Sequence, residues 1–211
     1  YTLNERGYEV VTMVVNSGGS VRAIADSLQI SDANHVLILS KVQPLEQFSH
    51  SEVDKIKNAL SALPANYGKL LQRHSLIHGQ MFNRVHLDIT PEGVEKRSSE
   101  QMIEDQKARK DQMDLDLLET MFDMGRYAFI SSSGNNPPNL MGIWNGEWRP
   151  AWSGDFTLDA NINLQISAAN LGNLHEGIEI YTRLLERIAP DWEINAGKIY
   201  GASVYLSGTR T

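Results

Sequence analysis

Residues 8–15, YEVVTMVV, form a compact β-branched run that predicts a strand. NSGGS (16–20) is turn chemistry, and VRAIADSLQI (21–30) then alternates in places as a partner strand. SDANH (31–35) turns the chain again, and VLILSKV (36–42) predicts a third, more buried strand. Three short antiparallel strands make a poor free-standing sheet. The pattern therefore predicts the end of a larger β-domain.

The period changes after Pro44. Ser49 and Glu52 have capping-box spacing, and Val53, Ile56, Leu60 and Leu63 form an apolar stripe that Pro64 stops. A second helix is predicted over about 66–83, carrying Tyr67, Leu70, Leu71, Ile77, Met81 and Phe82. VHLDI (85–89) reads as a short strand, with Pro91-Glu92-Gly93 as a loop. Residues 95–114 are dense in charge and amide, the pattern of a solvated linker or an exposed helix face. A strong helix is predicted over 113–131, with Leu115, Leu118, Met121, Phe122 and Phe129 inward. Another is predicted over 174–188, ending before Pro190.

Between those two helices the pattern is unusual. Residues 158–166, LDANINLQI, place Leu158, Ala160, Ile162, Leu164 and Ile166 in alternation with Asp159, Asn161, Asn163 and Gln165. An extended segment would put Asp159, Asn161 and Asn163 on one face. A helical one would align Asp159 with Asn163 and turn Asn161 elsewhere. Spacing alone leaves both open. A half-buried strand with a wet face is the ordinary explanation, and a polar face that holds water or sugar hydroxyls is the functional one.

Composition narrows the function. The chain has 211 residues, enough to bury a core. A formal net charge of −7 argues against a phosphate-neutralising surface, so no nucleic acid is expected as a partner. The absence of cysteine excludes disulfides, thiolate metal sites and cysteine nucleophiles. No stretch approaches the ~18 apolar residues of a membrane span, and no membrane partner is expected. His74 and His78 stand four apart, but HSLIH lacks the adjacent Glu of a zinc-binding helix and offers no third ligand. They read as packed or solvated histidines; no metal and no cofactor are expected.

Residues 131–157, SSSGNNPPNLMGIWNGEWRPAWSGDFT, carry Trp144, Trp148 and Trp152 within nine residues. A loop this long without regular structure usually has a task. Exposed tryptophan either plugs a domain or makes a stacking floor, a common way of binding a sugar ring. Within 155–165 the ionisable carboxylates are Asp155 and Asp159. The amides of Asn161, Asn163 and Gln165 can orient a water but cannot supply basicity. Glycosidic hydrolysis needs a proton donor and a base or nucleophile on opposite faces of the bond.

GRYAFISSS (125–133), PPNLMGIWN (137–145), PAWSGDFTLDANIN (150–163) and AANLGNL (168–174) resemble glycoside hydrolase family 95, the α-L-fucosidases and α-L-galactosidases of bacteria and plants. LLQRHSLIHGQMFNRVHLDI (70–89) is similar to that family's helical linker, and residues 16–40 to the end of its β-domain. The resemblance implies an α+β chain in three parts: the last strands of a β-sandwich (1–48), a helical linker (49–94), and the opening helices of an (α/α)6 catalytic barrel (95–211). It also implies inverting hydrolysis of terminal α-L-fucosyl or α-L-galactosyl residues. A Glu would serve as general acid, and an Asp helped by two N-x-N asparagines would activate the water.

Laid on the family's aromatic-Thr-Ile-Asn-Ile-Asn run, the asparagine pair falls on Asp159 and Asn161, with a carboxylate replacing the first amide. A second register puts it on Asn161 and Asn163. The resemblance further implies that Trp144, Asn145 and Asn163 line the sugar site. The acid and base would lie further along, so the chain reads as an internal fragment, inactive alone. Such a cut barrel is expected to self-associate or to bind a partner supplying the missing domain. The family implies a glycan substrate and a periplasmic or secreted location. A non-catalytic carbohydrate-binding protein using the 144–152 loop, or another (α/α)6 glycosidase or phosphorylase, are the alternatives.

Overall fold

A computed structural model describes residues 2–3, 6–45, 51–147 and 150–209, and of residues 2, 3 and 6 the backbone only. Ser49 and Trp148 lie outside the described residues. The chain is mixed: small antiparallel sheets first, then helices. It divides into two compact units, 1–76 and 77–211.

In the first unit, β1 (Thr2–Leu3), β2 (Arg6–Ser17) and β5 (His35–Leu45) form one antiparallel sheet in the order β1-β2-β5. The β2–β5 register runs from Gly7 opposite Leu45 to Ser17 opposite His35. Between them lies a hairpin of β3 (Ser20–Ile24) and β4 (Ser27–Ser31). Residues 21–30, expected as one strand, are thus two strands. The chain reverses at Ala25, which takes a left-handed φ of +52, and Asp26 follows it in the turn. The turn into the hairpin needs Gly18 and Gly19, at φ +72 and +65, because a Cβ on Gly19 would overlap the Ser31 carbonyl.

One face of the ribbon meets α1 (Val53–Ser61), which buries Ile56 and Leu60 and contacts both β2 and β5. This helix starts later than its expected capping box. Its N-cap is Glu52, whose side chain makes no capping bond, while the Glu52 backbone N–H donates to the Glu9 carboxylate at 2.7 Å. The opposite face leaves Val10, Val36, Ile38 and Val42 exposed.

The unit boundary falls inside α2 (Tyr67–Phe82). Residues 85–89, expected as a strand, pair with no strand among the described residues. The backbone N–H groups of Ile89 and Thr90 donate instead to the Glu119 carboxylate, which satisfies donors that a ladder would otherwise need. The charged run holds α3 (Ser99–Ala108), opened by a full capping box between Ser98 and Gln101. It also holds an ion network: Arg97 donates to Asp105 and Asp114 at 2.8 Å and to Asp116 at 3.3 Å. That network holds the Asp114 carboxyl below the usual range, and Asp114 in turn caps α4 (Leu115–Ser132) by accepting from Leu117 N–H.

The second unit is organised by α4 and α6 (His175–Tyr200). Arg126 of α4 is buried. It donates to the carbonyls of Met81 and Phe82, where α2 ends, and to Gly172. A helix end with orphan carbonyls is thereby capped from the side. Gly177 sits where a Cβ would overlap the Phe129 ring, so α4 and α6 approach closely there. Helix α6 runs past Pro190, which the sequence led us to expect as its end. The hydrogen bond lost at one exposed proline is outweighed by burial on either side, at Leu184 and Ala196, and by Ile188 and Trp192 on the adjoining core.

Arg84 joins Glu176, in the first turn of α6, through two parallel bonds of 2.8 and 2.7 Å. The guanidinium pulls the Glu176 pKa down to about 2. Because the folded value lies below the unfolded one, this pair stabilises the fold at pH values above about 4.5, and that contribution fades as pH falls toward 2. Melting curves between pH 7 and 2 are expected to show a shallower acid limb for Glu176→Gln than for the unsubstituted protein. Equal limbs would mean the pair contributes nothing.

Candidate active site

The residues that gather in the second unit do so because of what happens at 158–166. The segment is not extended. Turn residues 158–160 lead into α5 (Asn161–Ile166), six residues of helix. Leu158, Ile162 and Ile166 are buried, whereas Leu164 is 73 % exposed. Leu158 and Ile162 pack with Leu184 of α6, flanked by Phe156, Tyr181, Leu185, Ile188 and Trp192. One side of α5 is therefore anchored, and its polar side is held out.

Each polar residue then goes to a different place. Asp159 and Asn161 line a hollow of about 350 Å³ together with Leu140, Trp152, Thr157 and Thr209. Asp159 accepts from the Ala160 N–H at 3.0 Å, which steadies its carboxylate at the lip of the helix. Asn163 is not among the lining residues. Its amide donates to the Leu158 carbonyl at 3.2 Å, and its carbonyl accepts from the Tyr181 hydroxyl at 2.8 Å. Burial raises the Tyr181 pKa, which favours the protonated phenol that donates this bond. Asn163 thus ties α5 to α6.

The loop preceding α5 is pinned at three points. Asn139 Nδ2 donates to the Gly154 carbonyl at 2.8 Å and Leu140 N–H to the Asp155 carbonyl at 3.0 Å. Gln165 of α5 donates to the Asn139 carbonyl at 3.3 Å. Between these ties the 3-10 turn Ala151–Gly154 carries Trp152 to the hollow. Asp155 accepts from the Thr157 hydroxyl at 2.8 Å and so orients one of the lining side chains.

Trp144 and Asn145 go elsewhere. Trp144 lies against Gly142, where a Cβ would come within 2.8 Å of its ring. It lines a second hollow of about 340 Å³ with Phe129, Ser132, Pro138 and Met141. Asn145 forms a local turn, accepting from Glu147 N–H at 3.0 Å. Thr209 was not foreseen. It reaches the site because the tail folds back, with Leu158 N–H donating to the Thr209 carbonyl at 2.7 Å and Leu206 N–H to the Trp192 carbonyl at 3.0 Å. No local signal in that polar tail marks it. Tyr181 could have been suspected only once α5 was known to be a helix.

The arrangement offers one carboxylate, one amide with both a donor and an acceptor, two hydroxyls and an aromatic ring around a space within the size range of small-molecule sites. His78 packs against the rings of Phe82 and Tyr127 at 5.9 and 5.2 Å. Among the described residues no three His, Asp or Glu side chains converge as a metal site. No helix among them is long and apolar enough to cross a membrane.

Residues 66–211, more than half of the chain, match the catalytic domain of glycosyl hydrolase family 95. A probable alpha-fucosidase A of Aspergillus niger is 35 % identical over 156 residues, 70 % of this chain and 19 % of that protein. Alpha-L-fucosidase 2 of Arabidopsis thaliana is 28 % identical over 214 residues, 94 % of this chain and 25 % of that protein. A probable alpha-fucosidase A of Aspergillus oryzae is 32 % identical over 164 residues, 74 % and 22 % respectively. The chain spans about a fifth to a quarter of the length of these fungal and plant relatives.

Proposed function

The chain belongs to glycoside hydrolase family 95, and we propose that it supplies one wall of the active site of an inverting exo-glycosidase. The substrate is a glycan ending in α-L-fucose or α-L-galactose. The observation that carries the reading is the shared hollow of Asp159, Asn161 and Trp152. There Asp159 and the Asn161 carbonyl accept hydrogen bonds from a water, while the Asn161 amide donates to a sugar hydroxyl or to the water's oxygen. A water so held attacks the anomeric carbon from the side opposite the leaving oxygen. Inversion needs two carboxyl groups roughly 6.5–9.5 Å apart with that water between them. Asp159 is the one carboxylate lining the hollow among the described residues, so at least one of the two carboxyl groups comes from another part of the enzyme.

In this reading the helices of the second unit are the opening of an (α/α)6 barrel. The first unit is the end of a β-sandwich, whose second sheet would cover the exposed Val10, Ile38 and Val42. Trp144 and Asn145 form an outer rim of the sugar site, and Asn163 braces it. Leu171, 88 % exposed, is apolar surface that self-association or further chain would cover. The enzyme works outside the cytoplasm, in the periplasm or secreted, where terminal sugars of glycans are met.

Hydrolysis of an aryl α-L-fucoside, followed by proton NMR of the first sugar released, tests the mechanism. The β-anomer is expected first; release of the α-anomer overturns inversion. Binding of the sugar with no turnover by the intact protein would favour a carbohydrate-binding role for the 144–152 loop instead.

A further inference from the structure

Trp152, Ser153 and Gly154 stand in succession at φ +58, +59 and +64. Left-handed backbone is ordinary for Gly154 but strained for the two residues before it, the first of them bulky and aromatic. Strain of this kind persists only where the surroundings over-determine it, and it gathers at ligand-binding positions. The surroundings here are the ties already described: Asn139 to Gly154, Leu140 to Asp155 and Gln165 to Asn139. Trp152 gains little burial in return, for it is 67 % exposed. A loop bent against its own preference, with a largely exposed indole at the edge of a hollow holding Asp159 and Asn161, is organised for something that arrives later.

We propose that Trp152 is the stacking platform for the terminal sugar, the residue that sets its affinity in this site. The inference rests on the glycosidase reading of the hollow and goes beyond it by naming the ring contact that holds the sugar. The C–H face of a pyranose lies on the indole, and Asp159, Asn161 and Thr157, which line the same hollow, meet its hydroxyls. The Asp159 carboxylate disfavours an anionic sugar at this position, so the bound ring is neutral. The left-handed bend fixes the indole before the sugar arrives, which removes part of the ordering cost of binding.

Calorimetric titration of the intact protein with methyl α-L-fucoside and methyl α-L-galactoside tests this, alongside thermal melts. Trp152→Phe is expected to keep affinity within about threefold. Trp152→Gly is expected to lose about tenfold or more. Trp152→Gly is also expected to melt no lower than the unsubstituted protein, because glycine relieves the strained φ and little burial is lost. A plug would behave oppositely, with a lowered melting temperature. Unchanged affinity in a folded Trp152→Gly protein overturns the stacking role while leaving the glycosidase reading untouched. Sugar binding that Trp152→Gly abolishes, in a protein that never hydrolyses an aryl glycoside, keeps the stacking role and removes the glycosidase. If the unsubstituted protein binds neither methyl glycoside, both fall.

Discussion

Asn161→Ala is expected to lower kcat for an aryl α-L-fucoside by about 10²–10³-fold, with KM changing far less. The magnitude is that of removing one preorganised hydrogen-bonding group from a reaction centre. Asn161 is the strongest choice because both readings of the asparagine pair include it, whether the pair is Asp159 and Asn161 or Asn161 and Asn163. Its side chain is exposed into the hollow, and α5 has no side-chain cap for the substitution to break. A lost rate is therefore chemistry and not unfolding, and an unchanged melting temperature checks this. Full activity in Asn161→Ala would remove the water-orienting role from this segment altogether.

Companion variants separate the two pairings. If Asp159 stands where the family carries an amide, Asp159→Asn restores the amide pair and should retain substantial activity, with an altered pH profile. Asn163→Ala is harder to read. It loses the bonds to Leu158 and Tyr181 as well as any contact with substrate, so its melting temperature must be reported with its rate.

Ile162→Ala carries the largest expected effect on stability. Its side chain is 1 % exposed and packs in the cluster of Leu158 and Leu184, with no room for neighbours to be lost cheaply. Such a truncation costs about 2–5 kcal/mol. In a chain of this size that lowers the melting temperature by on the order of 10 °C. Leu164→Ala is the control, since a residue this exposed should shift stability by about 0.5 kcal/mol or less. The contrast decides between helix and strand. In an extended segment Ile162 and Leu164 would share the apolar face and both variants would be costly. Comparable losses in the two would overturn the helical α5.

Much of the architecture was legible in the residues. The runs at 8–15 and 36–42 form strands because extended, branched side chains fit a pleated surface. That they pair with each other, with 21–30 folded into a hairpin of its own and Val36, Ile38 and Val42 exposed, came only from the structure. The stripe Ile56 and Leu60 follows from helical spacing. In α4 the spacing pointed to Leu115, Leu118, Met121, Phe122 and Phe129 as the inward side, whereas the structure buries Leu117, Arg126 and Ile130 and leaves Leu115 and Met121 exposed. The polar inventory of Asp159, Asn161, Asn163 and the tryptophan loop was equally plain, and so was the resemblance it carries.

The sequence by itself determined which residue types could do chemistry here and that helices follow strands. Only the tertiary structure decided the rest. An alternating pattern contains an i, i+4 pattern within it, so Leu158, Ile162 and Ile166 satisfy strand and helix alike. Packing settles the matter: Leu158 and Ile162 lie against Leu184 of α6, while Leu164, which a strand would turn to the same face, is left exposed. The same packing sends Asn163 to Tyr181 and leaves Asn161 at the hollow. Residues 85–89 failed as a strand because a distant carboxylate, Glu119, met their backbone donors. Helix α6 outran Pro190 because burial beyond it exceeded one lost bond. Thr209 meets Asp159 through a tie from far along the chain, Leu158 N–H to the Thr209 carbonyl, and Trp152 through the loop ties of Asn139 and Leu140; no local pattern encodes such a meeting.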